Sequence, residues 1–198
     1  MKLLTSMLFC CALLVGCAEK GKESSQEQIA SSIYRSGTQP TLTVFTMINN
    51  RSGQGAHTAL LVNASQTVLF DPAGSFNHPD VPASGDVLYG MSPSWVQIYK
   101  SAHARSLFHV VSQEIAVTPA QAERALQLVQ AKGSVPSAMC ASATTGILRE
   151  IPGFEDIRSG FYPTALMKQM QVRPGVSTTR YYENDDGNVV DGVQGQLQ

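Results

Sequence analysis

The chain has 198 residues, 43% of them hydrophobic and 15% charged, which is enough to bury one proper core in a single globular domain. Its formal charge is −1, and removing Lys2 with an export segment makes it −2; that balance excludes nucleic acid or an anionic surface as the main electrostatic partner. No internal repeat, coiled-coil heptad, phosphate loop or Gly-x-Ser-x-Gly elbow occurs, and no two histidines have zinc-protease spacing, so neither metal nor cofactor is expected.

Residues 1 to 16 carry one positive charge, then an apolar run through Val15. The run is shorter than the roughly 20 residues a membrane span needs and reads as a secretory signal. It ends Leu14-Val15-Gly16-Cys17, which resembles a bacterial lipobox. The resemblance implies cleavage before Cys17, lipidation of Cys17 and a partner in the membrane itself. Ala18 after the cysteine implies the outer membrane, facing the periplasm. Residues 17 to 39, rich in Lys, Glu, Ser and Gln, are expected to be a lipidated terminus and flexible tether. The folded domain is expected over residues 40 to 186, with a loose tail over 187 to 198.

Within the domain, residues 41 to 48 are β-branched and aromatic and predict a strand. Two short apolar runs follow, His57 to Val62 and Thr67 to Phe70, joined by the hairpin sequence Asn63-Ala64-Ser65-Gln66. Asn63 also heads a glycosylation sequon, read here only as a turn. Residues 107 to 117 predict another strand. Thr118-Pro119-Ala120-Gln121 is a capping box with proline in the first turn, and Gly133 stops the helix it opens. A second helix is expected from about Ser137 to Arg149, a short third from Pro163 through Leu166 and Met170, and a last strand over 176 to 183. Hairpin strands with helices grouped late in the chain predict an α+β fold on an antiparallel sheet. Trp95 and Tyr99 are assigned to core or to a substrate rim, and His78, His103 and His109 to surface or sheet.

Chemistry is expected at Cys140, the one cysteine past Cys17. An unpaired cysteine is either a packed apolar residue or a reactive thiol. A place in the first turn of a helix would favour its thiolate, through free amides and the helix dipole. Such a thiol needs a base. His57 opens a strand after Gly53-Gln54-Gly55, and the hairpin folds Asp71 almost opposite it, where it could hold the imidazole in one tautomer or serve only as a turn residue before Pro72.

The stretches Gly55 to Val62, Val68 to Gly74 and Met139 to Ser142, with Tyr162 to Leu166 behind them, resemble the circularly permuted NlpC-like papain-fold hydrolases, the group that includes lecithin retinol acyltransferase-like proteins. The resemblance covers roughly Thr41 to Met170 and implies a papain-like fold with Cys140 as nucleophile, His57 as base and Asp71 as orienting residue. Met139 departs from the polar residue that many relatives carry there. The implied activity is hydrolysis of an amide or ester in a peptide, in peptidoglycan or in a lipid. The alternatives are a non-catalytic envelope lipoprotein of the same fold that binds a partner, and an inhibitor or immunity protein.

Overall fold

The computed structural model describes residues 23–185. The signal segment, Cys17 and the expected tail over 187 to 198 lie outside those residues. In chain order the elements are α1 (Gln26–Ser32), β1 (Thr41–Asn49), β2 (Gly55–Asn63), β3 (Thr67–Phe70), β4 (Ala83–Ser84), β5 (Val87–Leu88), α2 (Pro93–His103), β6 (Phe108–Ala116), α3 (Pro119–Lys132), α4 (Cys140–Arg149), α5 (Pro163–Gln171) and β7 (Ser177–Tyr181). The strands form one antiparallel sheet in the order β4-β5-β3-β2-β1-β6-β7. The fold is therefore α+β with a seven-stranded antiparallel sheet and five helices among the described residues. None of those helices is long and apolar enough to cross a membrane.

β1 lies near the sheet centre and is buried on both faces, which is why it reads as a nearly continuous apolar run. Leu42 and Val44 point into one core with Leu60, Val62, Leu148 and Leu166, under α3, α4 and α5. Phe45 and Met47 point into a second core with Ala59, Leu69, Tyr99 and Ala102, under α2. Successive residues of a strand face opposite sides, so His57, in step with Ala59, belongs to the α2 face.

The expected tether differs from what the structure holds. Residues 26 to 32 form α1, and residues on both sides of it are tied to the sheet. α1 buries no side chain fully, so its amphipathic signal is weak, but a Ser25–Gln28 capping box closes its first turn. The Ser24 amide bonds the Ala83 carbonyl at 2.7 Å, and the Thr67 amide bonds the Tyr34 carbonyl at 2.8 Å. Asn63, the sequon residue, closes β2 and uses its side chain to hold Ser36, Thr38 and the Gln39 carbonyl. α2 was not expected from the sequence. Ser92 caps it and Pro93 starts it, a regular pair of helix-start signals.

Candidate functional site

α4 begins at Cys140 itself, three residues later than expected. Ala138, two residues upstream, has φ 64, a left-handed conformation costly to a residue with a Cβ, and it breaks the helix that Ser137 would otherwise open. Cys140 thus occupies the first helical position, where the backbone amides have no partner inside the helix. The amides of Thr58 and Ala141 donate to its sulfur, and the thiol is hydrogen-bonded to the His57 imidazole.

His57 sits just past an irregularity in the β1–β2 register, where Met47 faces His57 but Ile48 faces Gly55. This offset frees Ala56 from pairing at the strand end. Gly55 is a close-approach position: a Cβ there would lie 2.8 Å from the Pro163 Cβ and 2.9 Å from the Thr164 amide, so the start of α5 presses directly on the strand that carries His57. His57 Nε2 donates to Asp71 Oδ1 at 2.7 Å. β2 and β3 pair Leu60 with Phe70, so Asp71 is the diagonal cross-strand neighbour of His57 on the same face.

Asp71 is buried and receives a second bond on Oδ1, from the Tyr99 hydroxyl at 2.7 Å. Its amide bonds the Asp86 carbonyl, and its own carbonyl accepts from Gly74. Ala73 in this turn has φ 56; it and Ala138 are the two non-glycine residues with positive φ among the described residues, and they flank the two ends of the constellation. Asp86 Oδ2 joins those ends, accepting from the Ala73 amide at 2.8 Å and the Val135 amide at 2.9 Å.

The electrostatics form one coupled set. Burial alone would lower the His57 pKa, but the charge and hydrogen bond of Asp71, and then those of Cys140, push it up to about 10. Burial would raise the Asp71 carboxyl; His57, then His103 and the Tyr99 hydroxyl, hold it below the ordinary carboxylate range. Burial would likewise raise the thiol of Cys140; the hydrogen bond and charge of His57, with the two amides, bring it below its ordinary value. These directions favour a thiolate–imidazolium pair with a carboxylate behind it.

The structure therefore brings together Cys140, His57 and Asp71, and adds two residues whose part in the site the sequence did not assign. Tyr99 supports Asp71. His103, expected at the surface or in the sheet, is buried one helical turn along α2 from Tyr99, its ring nearly parallel to that of His57 at 6.1 Å and its Nδ1 on the Tyr99 carbonyl. Burial pushes the His103 pKa down to about 4, so it is neutral where His57 is charged. The missed signal was the Ser92-Pro93 helix start followed by Trp95, Tyr99 and His103 at helical spacing. His78 instead packs on Trp95, and His109 bonds Asn50 under Tyr182.

A cavity of about 200 Å³ opens beside His57, walled by Met47, Ala56, Gly74, His103 and Phe108. A larger groove of about 450 Å³ runs along α5 past Thr145, Leu166 and Val172, and is lined by none of the three groups. Among the described residues no cluster of three histidines, cysteines or carboxylates could hold a metal ion. No family model, curated protein or solved structure matches the chain.

Proposed function

We propose that the protein is an envelope-anchored cysteine hydrolase of papain-like type, held by lipid on Cys17 in the outer membrane and facing the periplasm. The observation that supports this best is Cys140 at the first position of α4, hydrogen-bonded to an imidazole whose other nitrogen is bound to a buried carboxylate. A thiol that only packs has no use for a base held in one tautomer.

In this reading the Cys140 thiolate attacks an amide or ester carbonyl and forms a C–S bond. The resulting oxyanion lies near the amides of the first turn of α4. The His57 imidazolium gives its proton to the leaving amine or alcohol as the C–N or C–O bond breaks. Water then attacks the acyl-enzyme, His57 takes its proton, and the acid departs as the thiolate is restored. Asp71 holds the ring and stabilises its charge throughout. Peptides, peptidoglycan stems and lipid esters are all substrates of this chemistry. The rival reading, a binding lipoprotein with no turnover, draws on the low exposure of Cys140, which is 6%.

The test is the rate of iodoacetamide alkylation between about pH 5 and pH 9 on the chain from Ala18 onward, where Cys140 is the one thiol. Wild type is expected to react below the ordinary thiol range, and His57→Ala to lose that reactivity. Labelling that is slow in both proteins and appears only in denaturant would leave the binding reading in place.

A further inference from the structure

We infer that the end of the sheet carrying Cys140 and His57 docks onto the bilayer that holds the Cys17 lipid; the inference rests on the lipidation reading above and adds the orientation of the site. Five large hydrophobic side chains are more than half exposed among the described residues: Leu107, Phe161, Tyr162, Val172 and Tyr182. Four of them lie at the end of the sheet where the site opens. Leu107 precedes Phe108, the partner of Asn49 at the end of β1, and its carbonyl accepts from the Asn50 amide. Phe161 and Tyr162 lead into Pro163, which presses on Gly55, two residues from His57. Tyr182 follows β7, whose Tyr181 pairs with Val110 beside Met47, the partner of His57. Only Val172, past the far end of α5, lies elsewhere.

The position of the chain entry is an independent observation. The Glu23 carboxylate bonds the Ser84 hydroxyl and the Gly85 amide, both at 2.9 Å. Gly85 turns β4 into β5 next to Asp86, whose carbonyl holds the Asp71 amide, so the described chain begins at the site end too. Six peptide units join Cys17 to Glu23, and fully extended they span at most about 20 Å. A lipid on Cys17 therefore keeps this end within about 20 Å of the headgroups.

The occupant is a bilayer surface, recognised by apolar and aromatic contact. Aromatic side chains with one polar tip favour the headgroup layer. Two acids at this end, Glu183 and Asp185, are already paired with Arg105, so docking need not break those pairs. The cavity beside His57 then opens towards groups presented at the membrane face.

The experiment uses the full lipidated protein in phosphatidylcholine vesicles. A nitrobenzoxadiazole probe is placed at Tyr162→Cys or at Val172→Cys, each in the Cys140→Ser background, with and without brominated lipid. Expected is a blue shift and several-fold stronger bromine quenching at position 162 than at 172, insensitive to salt. Equal or reversed quenching overturns the inference. So does a shift at 162 that follows protein concentration in lipid-free micelles, which would assign the rim to a second copy of the chain. Protein that fails to float with the vesicles removes the anchor and overturns it as well. Because Cys140 is replaced throughout, the result is independent of whether it acts as a nucleophile.

Discussion

Gly74→Ala should dismantle the carboxylate end of the site with one methyl group. A Cβ at position 74 would lie 2.5 Å from Asp71 Oδ1 and closer still to Oδ2 and Cγ, far inside contact distance. The clash falls on a buried group fixed by two 2.7 Å bonds, from His57 and Tyr99, so the carboxylate has to leave one or both. Hydrogen bonds to a charged group are worth about 1.5–3 kcal/mol each, so partial re-pairing still leaves a cost of about 3 kcal/mol. For a domain of this size that corresponds to a fall in Tm of roughly 6–12 °C. The chemistry should move as well. With Asp71 displaced, the His57 pKa should drop from about 10, because burial of the ring is then opposed only by Cys140, the ring is neutral at mildly alkaline pH, and the Cys140 thiol rises as the imidazolium charge beside it is lost. Alkylation near neutrality should slow by about tenfold for each pH unit of that rise. Melting and iodoacetamide kinetics on the same preparation measure both effects. A variant with wild-type Tm and a wild-type pH profile would refute the claim that Asp71 is locked where Gly74 lets it sit.

Two other perturbations separate support from chemistry. Tyr99→Phe removes one donor from Asp71 but leaves His57 in place, so it should cost about 1–3 kcal/mol of stability with little change in the Cys140 alkylation profile; an unchanged melting curve would show that the hydroxyl bond contributes nothing. His57 and His103 should act oppositely on stability against pH. The raised pKa of His57 contributes stability that is complete below 6.5 and is lost as pH climbs to about 10, whereas the depressed pKa of His103 contributes stability lost as pH falls from 6.5 towards about 4. The His103 contribution is about 3 kcal/mol. His103→Asn, which can keep a donor to the Tyr99 carbonyl, should flatten the acid limb of a Tm-against-pH curve; a limb as steep as wild type would assign it to other groups.

The residues in the site divide by how local their signals are. Asp71 could be placed against His57 because a short hairpin fixes register, and register fixes faces. Cys140 could be placed in a first turn because Gly133 ends the preceding helix and leaves a short stretch before the next. The exact start of α4 could not, since alanine carries no local signal for the left-handed conformation that Ala138 adopts. Tyr99 and His103 were readable as helical neighbours, but a helix alone does not say which face of which sheet it covers. α1 and the two-residue strands β4 and β5 are held by cross-chain bonds from Glu23, Ser24 and Tyr34, so composition alone made the region look like a tether.

The carboxylate of Asp86 touches no reacting group, yet it takes one amide from the turn after Asp71 and one from the approach to Cys140. Segments more than 60 residues apart in sequence are thereby fastened to a single oxygen. Local opening of either one breaks a bond that also steadies the other, so the two halves of the constellation should exchange their amide hydrogens as one cooperative unit. Cys140 and Asp71, tied in this way, should come together, or come apart, in the same event.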